Sequence, residues 1–193
     1  MPLSEILDMA SRNFPSKEAI VCGNYRCKYS ELHERVARLA YALKNKGIRL
    51  QDRVAIIHRN CHYFLESYLA AAQIGAILVP VNYRLHPKDF SYILRDSDSD
   101  AVIVEPSLVE VFPTLEECPG LRLIIETGPS KNIAALESSC AYEEMVQYGR
   151  RDEHTALELQ DTDTAQLYYT SGTTGKPKGV PLTHRNNYIH ALN

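Results

Sequence analysis

Ten consecutive residues, TSGTTGKPKG from Thr170 to Gly179, hold three glycines, four hydroxyl side chains and two lysines. Gly172, Gly175 and Gly179 let the backbone approach a ligand without Cβ interference and permit positive φ, so that successive N–H groups can converge on one anion. Thr170, Ser171, Thr173 and Thr174 add hydroxyl donors, Lys176 and Lys178 add charge, and Pro177 restricts the backbone between them. This set of groups suits a polyphosphate. The competing reading of the composition is a solvated hairpin loop that grips nothing. The spacing is not GxxxxGK[ST], because Gly172 and Gly175 stand too close together and Pro177 occupies the hydroxyl position. It does not fit GxGxxG either, which would favour a dinucleotide.

The residues that flank the loop read as a hairpin, AQLYY (165–169) before it and GVPL (179–182) after it, with Thr183 capping a helix that begins near His184. Upstream, the apolar pattern changes period with regularity. Leu32, Val36, Leu39, Ala40 and Leu43 fall at helical spacing, with Ser30 as the cap and Gly47 as the stop. A second helix runs from about Cys61 to Gln73, with Asn60 as N-cap and Gly75 just beyond it. Pro87 opens a third through Leu94, and Ser107 with Glu110 forms a capping box for a fourth that Pro113 shortens. Between these helices lie the apolar runs VAII (54–57), ILV (77–79), AVIVE (101–105) and LRLIIET (121–127).

Strands separated by mostly helical stretches have the spacing of βαβ crossovers, and continuously apolar strands mean a sheet covered on both faces. The expected fold class is therefore α/β, a doubly wound, mostly parallel sheet flanked by helices. The βαβ region spans approximately 15–127, a polar connector 128–163, and the hairpin with its following helix 164–193. Within the connector, GPSKN reads as a turn, Tyr142 to Tyr148 as a short helix, and RRDEH and DTD as charged surface.

A net charge of −3 with both signs interspersed argues against a nucleic-acid partner, whose phosphates demand clustered Lys and Arg. No run is long and apolar enough for a membrane-spanning helix. The start, MPLSEILDMASRNFPSKEAI, has early acids and no basic stretch before an apolar core, so it reads as a structural helix. The cysteines at 22, 27, 61, 118 and 140 are odd in number and scattered, as expected of reduced thiols in a cytoplasmic protein. His58, Cys61 and His62 admit two readings, a metal cluster or a core thiol beside the polar start of a helix. The pairs Tyr63 with Tyr68 and Tyr168 with Tyr169 read as core and sheet packing or as a substrate cage.

The string LYYTSGTTGKPKGV (167–180) resembles the phosphate-loop signature of the adenylate-forming superfamily, which includes acyl-CoA synthetases, aryl-CoA ligases and adenylation domains. The similarity extends upstream. KYSELHERVARLAYAL (28–43), QDRVAIIHRN (51–60), AAAQIGAILVPVNYRL (70–85) and YILRDSDSDAVIVE (92–105) are similar to successive amino-terminal stretches of acyl-CoA synthetases. Pro181 departs from the commoner large or acidic residue at its position and, as a strand proline, marks an edge.

What the resemblance implies is a two-step reaction in which a carboxylate, a fatty acid in the leading reading, attacks the α-phosphate of ATP, and coenzyme A then displaces AMP. On that carry-over Thr170, Ser171, Gly172, Thr173, Thr174, Gly175 and Lys178 wrap the phosphates. Lys178 supplies the charge, Mg2+ shares the work, and Lys176 faces solvent. His184 is either the first helical residue after its cap or, by the resemblance, a neighbour of the acyl or nucleotide pocket.

In relatives the adenine pocket, the magnesium-binding glutamate and the catalytic lysine of a small carboxy-terminal domain follow the phosphate loop. The resemblance therefore implies that residues 1–193 are the amino-terminal part of a longer ligase, inactive alone, with apolar surface exposed for self-association. A noncatalytic phosphate-binding module and an adenylation domain loading a carrier protein are the alternatives.

Overall fold

The computed structural model describes residues 2–111, 118–128, 139–150, 158–171 and 176–192. The chain opens with α1 (Leu3–Asn13), followed by an antiparallel hairpin of β1 (Glu18–Cys22) and β2 (Tyr25–Lys28). Sequence pattern did not reveal that hairpin, because only Ile20 and Cys27 in it are buried and the other residues mix polar and apolar types. In α2 (Tyr29–Asn45) the expected stripe of Leu32, Val36, Leu39, Ala40 and Leu43 is buried throughout. Its cap is not Ser30. The cap is Lys28, two residues earlier, whose N–H donates to Glu31 Oε2 at 2.8 Å, and Gly47 ends the helix at φ +89°.

The core alternates as expected: β3 (Arg53–Ile57), α3 (His62–Gln73), β4 (Ile77–Val81), α4 (Pro87–Asp96) and β5 (Ala101–Val104). Cys61 rather than Asn60 takes the capping position of α3 and makes no side-chain cap bond, so burial of Ala70, Ala71 and Ala72 does the holding. After β5 comes a 3-10 helix, Pro106–Val111, in place of the expected fourth α-helix. Ser107 lies inside it rather than before it, and its hydroxyl donates to Glu105 Oε1 at 2.7 Å. Then follow β6 (Leu123–Glu126), a short unanticipated β7 (Ser139–Ala141), and α5 (Tyr142–Tyr148) within its expected bounds. The chain continues through β8 (Thr164–Thr170) and β9 (Lys178–Thr183) to α6 (His184–Leu192). Pro113, residues 129–132 of the GPSKN turn and 151–154 of RRDEH lie outside the described residues.

Among the described residues the main sheet has seven strands in the order β7-β6-β5-β3-β4-β8-β9. All neighbours are parallel except β8 and β9, so the fold is the expected doubly wound, mostly parallel sheet. Pro181 sits in β9, the edge strand, where its missing N–H breaks no interior ladder. Alternate strand residues feed two cores. Val54, Ile56, Leu78 and Ile103 face α2, α3 and α5, while Ala55, Ile57, Val79 and Val102 face Phe90, Ile93 and Leu94 of α4. No helix among the described residues is long and apolar enough to cross a membrane.

Glu66 on α3 has no exposed surface, yet it carries a carboxylate. Arg35 of α2 donates to it from Nε at 2.8 Å and from Nη2 at 3.0 Å, and Tyr142 of α5 donates to Oε2 at 2.9 Å. Arg35 reaches on to Glu143 at 2.9 and 3.1 Å, so one guanidinium joins three helices. Burial disfavours the Arg35 charge, but the two carboxylates outweigh it and hold the guanidinium ionised. At the opposite end of the chain His184 is almost wholly buried, and its Nδ1 accepts the Leu3 N–H at 3.2 Å. That geometry requires the ring to be neutral at Nδ1.

Arg35→Met leaves Glu66 buried without its counter-charge and is expected to lower unfolding free energy by about 3–5 kcal/mol, read from urea denaturation. Acid should also destabilise the fold. Burial holds His58, His62 and His184 below the ordinary histidine value of 6.5. Their contribution is therefore complete above that value and is lost as pH falls through it toward the lower folded values. The urea midpoint should be level above neutrality and decline below 6.5, and His184→Asn, which keeps an acceptor for Leu3, should flatten part of that decline.

Candidate functional site

Strands β3 and β4 are neighbours, but the chain leaving β3 crosses one face of the sheet as α3 and the chain leaving β4 crosses the other as α4. Such a switch point opens a crevice outside the carboxyl ends of the strands. A cleft of about 630 Å³ lies there, lined by His58 and Arg59 after β3, Tyr83 and Arg84 after β4, and Tyr168 and Tyr169 of β8. Its walls are fixed by hydrogen bonds. His58 Nδ1 donates to the Arg59 carbonyl at 2.8 Å, which leaves Nε2 to accept from the Thr127 hydroxyl at 2.8 Å. Arg59 lies 3.3 Å from Glu105, whose burial would raise its pKa but whose bonds from Ser107 and the Arg59 N–H bring it below the usual value.

Both nitrogens of His58 are thus engaged, and His62 is stacked on Tyr25 with centroids 3.9 Å apart. Of the two readings of His58, Cys61 and His62, this geometry matches packing at the start of a helix. Burial raises the Cys61 thiol above its ordinary range. The tyrosine pairs divide. Tyr63 packs edge-on against Tyr142 at 4.8 Å, its phenol pushed up to about 12 by burial and by Glu143, whereas Tyr168 and Tyr169 line the cleft.

The hairpin leaves the sheet beside this cleft. Thr170 closes β8 and pairs across the ladder with Lys178, the first residue of β9, so their side chains share one face. On that face the Tyr168 hydroxyl meets the Tyr68 hydroxyl of α3. On the other face the Tyr169 hydroxyl donates to Asp96 of α4 at 2.7 Å. Ser171, Lys176 and Lys178 are exposed. Lys176 Nζ stands 5.6 Å from the centre of the Tyr92 ring, so this side chain lies toward α4 while Lys178 begins the ladder. Gly172, Thr173, Thr174 and Gly175 lie outside the described residues.

Thr183 caps α6 as expected, its Oγ1 accepting the Asn186 N–H at 3.1 Å. His184 is the first helical residue, and the contacts described for it run to α1 and to the Asp163 carbonyl rather than to the cleft. Sequence pattern did not single out Tyr92 or Asp96. They fall in an ordinary amphipathic helix, and only the tertiary placement of the hairpin brings them to it.

The fold has close counterparts among solved structures. An anthranilate CoA ligase in complex with anthranoyl-AMP superposes with a TM-score of 0.90 at 23% identity, over 100% of this chain and 36% of that one. At that identity the likeness concerns the fold. By sequence, the chain is 36% identical to the 4-hydroxybutyrate–CoA ligase 2 of Metallosphaera sedula, over 96% of this chain and 35% of that protein. It is likewise 36% identical to the fatty acid–[acyl-carrier-protein] ligase ScoC of Streptomyces coeruleorubidus, over 89% of this chain and 31% of that protein. The chain thus spans about a third of the length of the curated relatives it matches. Residues 7–193 match the family described as AMP-binding enzyme, and the chain belongs to that family.

Proposed function

We propose that the whole protein is an ATP-dependent acid–thiol ligase that activates a carboxylic acid, a fatty acid in the first instance, and passes the acyl group to coenzyme A. The observation that supports this reading is that Thr170 and Lys178 stand side by side in the β8–β9 ladder, next to Tyr168 and Tyr169, which line the switch-point cleft. In the first step a carboxylate oxygen bonds to the α-phosphorus of ATP and the bond to the β-phosphate oxygen breaks, giving acyl-adenylate and pyrophosphate. In the second the thiol sulfur attacks the acyl carbonyl, the thiol proton is lost, and AMP departs.

Thr170, Ser171, Gly172, Thr173, Thr174, Gly175 and Lys178 take the phosphate-binding role. Donors and a cation aimed at the β- and γ-phosphates stabilise the charge that builds on the leaving pyrophosphate. Mg2+ would accompany the nucleotide. Among the described residues no group of three carboxylate, imidazole or thiolate side chains forms a metal site, and no step here is routed through the ion. Residues 164–193 form the phosphate-loop unit of this reading, following the βαβ region and the connector at 128–163.

The relative that loads an acyl-carrier protein matches at the same identity as the relative that uses coenzyme A, and this supports a carrier protein as the second reading for the acceptor. β9 and α6 expose Val180, Ile189 and Leu192, an apolar surface that supports self-association.

The full-length protein, screened over carboxylic acids, should release pyrophosphate from ATP with a fatty acid and form a thioester when coenzyme A is present. Thioester formation only with a carrier protein would reassign the acceptor, and no release with any acid would overturn the proposal. In ATP–pyrophosphate exchange, Lys178→Ala should slow adenylate formation by about 10²-fold, the scale of losing one charge-stabilising donor. Lys176→Ala, which removes a side chain resting on Tyr92, should do much less. Equal effects would contradict the assignment of the charge to Lys178.

A further inference from the structure

We infer that Tyr92 and Asp96 of α4 are positioning residues for the hairpin, clamping both of its strands so that Thr170 and Lys178 are presented to the nucleotide phosphates. This deepens the ligase reading and rests on it.

Helix α4 is well suited to act as the fixed jaw. Pro87 opens it, and its amino end is closed by a box in which the His86 ring accepts the Lys88 N–H and Asp89 accepts the His86 N–H. Phe90, Ile93 and Leu94 bury its other face in the sheet core. Tyr92 and Asp96 are four residues apart and therefore lie one turn above the other on the side that faces the hairpin.

Each strand is held separately. From β8, the Tyr169 hydroxyl donates to Asp96 Oδ2 at 2.7 Å. From the approach to β9, the Pro177 carbonyl accepts the Tyr92 hydroxyl at 3.1 Å, closer than the 3.4 Å from that hydroxyl to Asp96 Oδ1. A hydroxyl has one proton, and the shorter distance directs it to the Pro177 carbonyl. Pro177 has no N–H, so this carbonyl is its one backbone hydrogen-bonding group. The peptide unit is planar, and the Pro177 carbonyl shares its plane with the nitrogen of Lys178. Fixing the carbonyl therefore fixes the orientation in which Lys178 enters the strand.

Two further contacts fit the same clamp. Gly179 pairs with Tyr169 across the ladder, and a Cβ on it would stand 3.1 Å from Leu167 Cδ1 and 3.4 Å from Tyr169 Cζ. The bare backbone leaves room for the ring that reaches Asp96. Lys176 meanwhile rests over the Tyr92 ring, so the clamp also sets which lysine lies toward α4 and which begins β9. Burial, and then the bond to Asp96, keep the Tyr169 phenol protonated and hence a donor.

The test uses the full-length protein with Tyr92→Phe, which removes one hydroxyl and keeps the ring, and separately Tyr169→Phe, which releases the other strand. Pyrophosphate release is followed while ATP and the fatty acid are varied in turn, and hydrogen exchange is measured in peptides spanning 168–182 with and without ATP. Each variant should raise KM for ATP about tenfold, and Tyr92→Phe, whose residue does not line the cleft, should change KM for the acid far less. Each should also speed exchange in those peptides. Loss of folded enzyme would lower kcat alone, so the split between the two KM values separates positioning from stability. If ATP does not slow exchange in the wild-type hairpin, the phosphate-loop reading itself fails. If ATP protects the wild type and both variants keep its KM for ATP, the clamp is refuted and the ligase reading stands.

Discussion

Two neighbouring parallel strands that send their chains to opposite faces of a sheet cannot cover their own carboxyl ends, and the placement of the groups that line the cleft follows from that constraint. With α3 on one face and α4 on the other, the ends of β3 and β4 remain open. β8 then pairs beside β4, which brings Tyr168 and Tyr169 into the lining of that opening. Beside the switch point the hairpin strands adjoin a cleft of about 630 Å³, within the size range of small-molecule sites.

The two faces of the sheet hold that arrangement by different means. Beneath α3 the fixed point is a buried carboxylate, Glu66, satisfied by one guanidinium and by Tyr142, so that α2, α3 and α5 are tied through ionic hydrogen bonds inside an apolar core. Such a group is tolerated only because its partners are complete. Above α4 the contacts are lighter and more exposed. Tyr92, Asp96 and Tyr169 join helix to hairpin through neutral and carboxylate acceptors near solvent. In the proposed reading, a firmly tied face next to a lightly held one is the distribution of stability that admitting and releasing a ligand calls for.

Local signals in the sequence reached far into this fold. The runs VAII, ILV, AVIVE and LRLIIET are all strands or contain them, α5 keeps its expected bounds, Thr183 caps α6, and Pro181 lies on an edge. These features depend on neighbours a few residues apart, such as apolar period, cap chemistry and a missing N–H. Where the local signal was weak, the reading fell short. The β1–β2 hairpin and β7 bury too few side chains to show a period; the cap of α2 stands two residues before Ser30, at Lys28, where Glu31 closes the box, and that of α3 stands one residue after Asn60.

By itself the sequence determined the parallel α/β class, the succession of elements and the character of the TSGTTGKPKG segment, because backbone preference, apolar spacing and glycine content are written residue by residue. The tertiary structure alone decided that β8 crosses back to pair with β4, that His184 turns to α1, and that Tyr92 and Asp96 meet the hairpin. Those contacts join residues from 73 to 181 positions apart. No local pattern encodes such partners, since they are chosen by which packing of whole elements buries the most apolar surface while leaving the fewest polar groups unpaired.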